Sequence, residues 1–127
     1  MRKGTIMVAL VALLVAIFAT AAYAALIEGG SGNNDLFETS GDDSMFGYRG
    51  NDVLDANNFG TSAAPDDDFA AGGGNNDRVL VNDGDSEDVA KGGAGSSDVC
   101  VVTDQSEVGR GCETVRVNPL NDVAPGT

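Results

Sequence analysis

Oxygen-bearing residues recur at a fixed interval in the first half of the chain. Residues 32–34 (GNN), 41–43 (GDD) and 50–52 (GND) are nine residues apart, and a large aliphatic residue follows each after one intervening position. The aliphatic residues are Leu36, Met45 and Leu54. Asn and Asp supply the oxygen ligands that a hard cation such as calcium prefers, and the chain has no His with which to bind a softer metal. The residue types and their spacing therefore predict a row of turns whose oxygen ligands suit a hard cation.

Strands rather than helices must position these turns. Two apolar residues in nine cannot cover one face of a helix, and each Gly would cost a helix about 1 kcal/mol. Short strands of three residues between Gly-rich turns fit the pattern better. Two such turns and two such strands make a coil that closes every eighteen residues. Each aliphatic side chain then stacks on the next along the same face.

The second half of the chain repeats the pattern more loosely. Residues 74–77 copy residues 32–35 letter for letter, as GNND. Asp77, Asp88 and Asp98 are eleven and ten residues apart, so they do not keep the nine-residue phase and the ligands here stay open. Residues 57–65 are expected to form a loop, and the three Asp at 66–68 a solvated turn. Strands are predicted at 79–81, 99–102 and 115–117.

The amino terminus has the features of an export signal. Arg2 and Lys3 precede an apolar run at 6–19, and Ala22 and Ala24 are small residues at the positions that a signal peptidase reads. We expect cleavage after Ala24 and a secreted protein. The alternative is an uncleaved membrane anchor, although the run is shorter than the roughly 18 residues that span a bilayer.

The charge balance excludes several classes of partner. The net charge is −13, and removal of two basic residues with the signal would make it −15. The remaining five of seven basic residues cannot hold a phosphate backbone, so nucleic acid is excluded, as is a membrane partner after cleavage. Such an acidic chain repels itself when compact and needs counter-cations to fold. A disordered linker is the alternative, but disorder does not require aliphatic residues in phase.

The two cysteines and the absence of His bear on chemistry. Without His there is neither a Ser-His-Asp triad nor a zinc-protease motif, so we expect no enzyme. Cys100 and Cys112 are an even pair in a chain expected to be exported, which favours a disulfide. Two thiols alone cannot complete a zinc shell. The short segment between them is expected to be a hairpin.

The in-phase segments resemble the calcium-binding nonapeptide G-G-x-G-x-D-x-U-x of repeats-in-toxin (RTX) proteins. The resemblance lies in GGSGNNDLF, ETSGDDSMF and GYRGNDVLD, covers 29–56 strongly and extends loosely over 72–117. The closing DVCVVTDQSEVGRGCETVRV is similar to the cysteine-paired end piece of some exported bacterial proteins of this type. The resemblance implies an all-β fold, a right-handed parallel β-roll with a disulfide-closed C-terminal end piece.

The same resemblance implies which residues hold calcium between turns stacked on one side of the roll. The implied or candidate side-chain ligands are Asn34, Asp35, Asp43, Asp52, Asp77 and Asp98. The implied carbonyl donors are Gly29, Ser31 and Asn33 in one turn and Gly47, Arg49 and Asn51 in the next. Asn34 brings no charge, so its site should be weaker unless Asp35 compensates.

These observations together predict four segments. They are a signal peptide at 1–24, in-phase repeats at 25–59, degenerate repeats with the end piece at 60–117, and a flexible tail at 118–127. The expected function is that of an exported, non-catalytic calcium-binding protein whose ordering is coupled to extracellular calcium. The alternatives are a spacer or adhesion protein with a cell-surface or matrix partner, and an accessory module of an exported hydrolase.

Overall fold

The computed structural model describes residues 24–57 and 66–118, and in these ranges the chain is almost entirely β-strand. The predicted signal peptide up to residue 23, the predicted loop from residue 58 to residue 65 and the predicted tail from residue 119 lie outside the described residues. The strands are β1 (Leu26–Glu28), β2 (Asp35–Phe37), β3 (Ser44–Arg49), β4 (Val53–Asp55), β5 (Phe69–Gly74), β6 (Arg78–Val81), β7 (Val89–Ala94), β8 (Val99–Val102) and β9 (Thr114–Val117). Between β8 and β9 lies a short 3-10 helix, Gln105–Glu107. No helix in the described ranges has the length and apolar character to span a membrane.

The strands form two parallel sheets, and from β1 to β8 the chain alternates between them. Sheet A has the order β1-β3-β5-β7, and sheet B has the order β2-β4-β6-β8-β9. Parallel neighbours cannot be joined by a tight hairpin. Between two neighbouring strands of sheet A, the chain therefore contributes one strand to sheet B. The prediction of an all-β fold is confirmed. The predicted hairpin between the cysteines is wrong, because β9 pairs parallel to β8.

The predicted eighteen-residue period holds only for the first repeat. Leu26 faces Ser44, Ser44 faces Phe69 and Phe69 faces Val89, which are intervals of 18, 25 and 20 residues. Most of the additional length lies in one connection from sheet B to sheet A, residues 56–68, whereas the corresponding connection at 38–43 has six residues. The strands before and after this longer connection are paired in register.

The core lies between the two sheets and is built from the inward positions of successive strands. In sheet B, Leu54 faces Leu36 on one side and Val79 on the other. In sheet A, Met45 faces Ala70. Met45, Leu54, Ala70 and Val79 are fully buried, and Leu36 packs against them. The side chains alternate inward and outward along each strand, which is why one apolar residue per short strand is enough to fill the core.

Successive turns approach so closely at the end of sheet A that they require Gly. Gly73 and Gly93 face each other and both have a φ of 111°. A Cβ atom on Gly93 would overlap the carbonyl oxygen of Gly73, and one on Gly73 would overlap that of Tyr48. Only Gly adopts this backbone without strain and permits this approach. The repeated Gly residues therefore set the spacing between turns.

Cys100 and Cys112 form the predicted disulfide. It joins β8 to the segment that immediately precedes β9 and so closes a loop around the 3-10 helix. Closing a loop of this size stabilises a fold by roughly 3 kcal/mol in the chain-entropy model.

Reduction of the disulfide, or Cys112→Ser, is expected to lower the free energy of unfolding by about 3 kcal/mol. The segment at 103–118 should lose order first, because the crosslink closes over it, while the first strands keep theirs. Hydrogen exchange at saturating calcium measures this directly. Equal loss of protection at 24–57 and at 103–118 would show instead that the disulfide supports the whole core.

Candidate metal centre

The connections between the sheets lie on two sides of the fold. On one side the chain leaves sheet A and enters sheet B, through residues 29–34, 50–52, 75–77 and 95–98. We call this the glycine-rich side. On the other side the chain returns from sheet B to sheet A, through residues 38–43, the described part of 56–68, and 82–88. We call this the acidic side. An Asp or Asn stands directly before most of the strands that the chain enters.

A ladder of buried carboxylates runs along the glycine-rich side. Asp52, Asp77 and Asp98 precede β4, β6 and β8 and are at most 3% exposed. The Oδ1 atom of Asp52 accepts a hydrogen bond from the backbone N–H of Asn34 at 2.8 Å. Asp77 accepts in the same way from Asp52 at 2.8 Å, and Asp98 from Asp77 at 2.7 Å. Glu113 ends the ladder by accepting from Asp98 at 2.8 Å. Each carboxylate therefore uses one oxygen to hold the preceding turn.

The second oxygen of these carboxylates has no such role. The Oδ2 atoms of Asp52, Asp77 and Asp98 are buried and have no hydrogen-bond partner among the described residues. A buried carboxylate that lacks a compensating charge or hydrogen bond costs several kcal/mol. Three such oxygens stand at the same position of consecutive turns. A cation bound here would supply the compensating charge.

Backbone carbonyl oxygens converge on the same positions. A Cβ atom on Gly47 would overlap both the Oδ2 atom of Asp52 and the carbonyl oxygen of Gly72. A Cβ atom on Gly29 would lie 2.7 Å from the Oδ1 atom of Asn34 and 2.8 Å from the carbonyl oxygen of Gly47. A side-chain oxygen of one turn thus lies beside a carbonyl oxygen of the next. Calcium takes such mixed oxygen ligands, so the residues fit that ion.

The electrostatics of the glycine-rich side work against the ionised form in the absence of a cation. Burial raises the pKa of Asp77 to about 6, and the negative charges of Asp52 and Asp98 add to the rise. The hydrogen bond from the backbone of Asp52 opposes it. A bound cation would remove the cost of keeping three carboxylates close together.

A second ladder lies on the acidic side. The Oδ1 atom of Asp43 accepts from the N–H of Ala25 at 2.7 Å, that of Asp68 from Asp43 at 2.7 Å, and that of Asp88 from Asp68 at 2.8 Å. The Oδ2 atoms of Asp68 and Asp88 are buried without a hydrogen-bond partner in the described part of the chain. The Oδ2 atom of Asp43 differs, since it accepts from the N–H of Thr39 at 2.6 Å. Asp43 is therefore a weaker candidate ligand than the two residues stacked on it.

Further acidic side chains meet the second ladder and form three groups that could hold a metal ion. In each group one oxygen of every residue lies within 4.8 Å of the others. The groups are Glu38, Asp66 and Asp68; Asp66, Asp83 and Asp85; and Asp85, Asp88 and Glu107. Burial, with Asp68 adding to it, raises the pKa of Glu38 to about 10. Burial likewise raises the pKa of Asp88 to about 9, where the charges of Asp83 and Asp85 contribute.

The structure separates the sequence-predicted site residues into three sets. Asn34, Asp52, Asp77 and Asp98 come together on the glycine-rich side, whereas Asp43 lies on the acidic side. The third set is exposed and consists of Ser31, Asn33, Asp35, Arg49 and Asn51.

The exposed set lies outside the ladder of buried side chains. Asp35 is the first residue of β2 and its side chain is exposed, whereas the next residue, Leu36, packs against the core. It therefore does not supply the charge that Asn34 lacks. The amide oxygen of Asn33 accepts from the backbone N–H of Asn51 at 2.8 Å, so Asn33 connects neighbouring turns.

Asp68 and Asp88 are ladder residues that the nine-residue repeat beginning with Gly did not identify. The expected solvated turn at 66–68 is wrong for two of its three residues, since Asp66 is 6% and Asp68 2% exposed. Both alternate inward as the chain extends towards β5. A pattern counted from Asp includes all the ladder Asp residues but does not select them alone. Asp followed by any residue and then an apolar residue occurs at 43, 52, 68, 77, 88 and 98, and likewise at 35, 67 and 122.

The fold and the site define a class of protein, an all-β protein of two parallel sheets with rows of buried carboxylates and, on the acidic side, three carboxylate groups that could hold a metal ion. Comparison of the chain with protein families, with curated proteins and with solved structures gives no match. Inferences about its function therefore start from the geometry of the site itself.

Proposed function

We propose that this protein is an exported, non-catalytic calcium-binding protein of the RTX type, folded as a right-handed parallel β-roll. The observation that supports this most is the row of buried Oδ2 atoms of Asp52, Asp77 and Asp98, which have no hydrogen-bond partner within residues 24–57 and 66–118. These oxygens repeat at one position per turn, and the carbonyl oxygen of Gly72 lies beside that of Asp52. Two of the three sixth-position residues of the nonapeptide pattern, Asn34 and Asp52, lie at the start of the same ladder, whereas Asp43 lies in the ladder of the acidic side.

The residues that would hold calcium follow from the positions of their oxygens. Asp52 would act with the carbonyl of Gly72, and Asn34 with the carbonyl of Gly47. The Asn34 position should be the weakest, since an amide oxygen carries no charge. The bound ions would supply the positive charge that a chain of net charge −13 lacks.

Calcium binding would then be coupled to folding. An ion that binds only the folded state stabilises it by about 2.7 kcal/mol at a hundred times its dissociation constant. The unfolded chain does not bring oxygens of successive turns together, so it offers no comparable site. The protein is thus proposed to be only marginally stable where calcium is scarce and to be fully ordered outside the cell.

Calcium is expected to increase the β signal in circular dichroism at roughly 10⁻⁴ to 10⁻³ M, the range of extracellular modules. Magnesium should be much less effective, because it prefers a small octahedral shell and retains its waters. Asp52→Asn should raise the midpoint of the calcium titration, whereas the exposed Asp35→Asn should leave it unchanged. A fold that persists fully in chelator would instead support a passive spacer or adhesion protein.

A further inference from the structure

Glu107 is a buried acidic residue in the C-terminal end piece, outside the repeat pattern. It is the last residue of the 3-10 helix and is 1% exposed. Its Oε2 atom accepts hydrogen bonds from the backbone N–H of Thr103 at 2.6 Å and of Asp104 at 3.0 Å. Its Oε1 atom is buried and has no hydrogen-bond partner in the ranges that the structure describes. The carboxylate is therefore fixed in place with one oxygen left over.

Two further carboxylates come to Glu107 from the connection between β6 and β7. One oxygen each of Asp85, Asp88 and Glu107 lies within 4.8 Å of the others. Asp88 is 2% exposed, and its Oδ1 atom is occupied by the backbone N–H of Asp68. Its Oδ2 atom is buried and without a hydrogen-bond partner among the described residues. The cluster thus holds two unpartnered oxygens from two residues that are almost wholly buried.

The chemistry of this cluster selects a hard cation. All three ligands are carboxylates, and both cysteines of the chain are joined in the disulfide. Three carboxylates held this close are unfavourable without positive charge between them. Negatively charged oxygen ligands suit calcium, whereas zinc and other softer metals favour nitrogen and sulfur.

We propose that Asp85, Asp88 and Glu107 bind a calcium ion that fastens the C-terminal end piece to the connection at 82–88. This site goes beyond the proposed function, because Asp85 and Glu107 belong to no repeat and the site does not use the glycine-rich side. The ion joins two segments that are distant in sequence, and it acts separately from the disulfide, which ties the end piece to β8. The end piece would then have one covalent and one calcium-dependent attachment.

Glu107→Gln tests the site with little change in shape. The amide oxygen of Gln still accepts from the N–H groups of Thr103 and Asp104, while its NH₂ group cannot bind a cation. Native mass spectrometry of the full chain in calcium should show one bound ion fewer than in the unmodified protein. Hydrogen exchange should show that calcium no longer protects residues 82–88 and 103–108. Residues 50–52 and 75–77 should keep their calcium-dependent protection.

Asp104→Asn is the matched control. It removes the same charge from the same helix, is exposed, and leaves an amide oxygen that can accept from the N–H of Ser106. It should bind as many calcium ions as the unmodified protein. If Glu107→Gln does not fold, Asp85→Asn is the second variant, since Asp85 lies outside the 3-10 helix, and it should lose the same ion.

The outcomes separate this proposal from the proposed function. Unchanged calcium stoichiometry and unchanged protection at 103–108 in Glu107→Gln, or in Asp85→Asn if that is the variant that folds, would overturn the site in the end piece alone. Calcium-dependent protection at 103–108 but not at 50–52 and 75–77 would support this site and contradict calcium binding on the glycine-rich side. Absence of calcium-dependent protection from both regions of the unmodified protein would overturn both.

Discussion

Asp77→Asn is expected to stabilise the protein in chelator and to destabilise it in calcium. Asp77 is buried between Asp52 and Asp98, and burial raises its pKa to about 6. At neutral pH it is therefore ionised, and burial of this charge destabilises the folded state. The uncharged Asn removes that cost and the repulsion, but it also removes a charged ligand for calcium. We expect the free energy of unfolding to change by about 1–2 kcal/mol in each direction. Urea unfolding at pH 7.5, with calcium and with chelator, measures both.

Two companion variants identify the cause of this reversal. Asn keeps an oxygen that accepts from the backbone N–H of Asp52, whereas Asp77→Ala leaves that buried donor unpaired. Asp77→Ala should therefore be less stable than Asp77→Asn by about 1–3 kcal/mol in chelator. Asp35→Asn removes an exposed charge and should have little effect in either condition. If Asp77→Asn destabilises the protein in chelator as well, the carboxylate has a structural role without a cation.

Acidification is expected to order the calcium-free protein. Burial raises the pKa of Glu38 to about 10, of Asp88 to about 9 and of Asp77 to about 6. The folded state therefore binds more protons than the unfolded state above about pH 4, where the unfolded carboxyls titrate. Stability is greatest at or below that pH and is lost as the pH rises through the folded pKa values. In chelator, the free energy of unfolding should increase from pH 9 to pH 5.

Calcium should reverse this dependence. Its carboxylate ligands must be ionised, so protons compete with the ion and calcium affinity should fall on acidification. Urea unfolding at pH 5, 7 and 9 tests both trends and stays above the isoelectric point of about 4.1, near which the chain carries little charge. Asp88→Asn should flatten the change between pH 7 and pH 9 in chelator. Stability in chelator that does not vary over this range would contradict the electrostatic account.

The alternation of short strands and turns could be predicted from the sequence because it depends on local spacing. Leu36, Met45 and Leu54 stand in phase, and the structure places all three at inward positions of successive strands. The same phase identified Asn34 and Asp52, which lie in one ladder. For the part of the chain before residue 56, the residues that define the repeat also define the structure.

The acidic side could not be predicted in the same way because its geometry is nonlocal. The connection at 56–68 interrupts the nine-residue count, so Asp68 and Asp88 fall out of phase in the sequence. Backbone pairing between strands restores their alignment in space. Glu38 and Glu107 each lie beside acidic residues that are distant in the sequence, because connections of unequal length lie next to one another in the fold. The parallel return of β9 likewise depends on a neighbouring strand and not on the spacing of the cysteines.

The hydrogen bonds of the two carboxylate ladders all run in the same direction along the chain, and this has a consequence for synthesis of the protein from its amino end. Every Oδ1 atom accepts from the turn before it, so each turn is completed only by the one that follows. A polypeptide that grows from its amino end always carries a newest turn whose acceptor has not yet been synthesised. Glu113 supplies the last acceptor on the glycine-rich side and so acts as a terminator. Gene duplication that inserts one more turn in the middle would preserve both ends, so a protein of this design can lengthen without redesign of its termini.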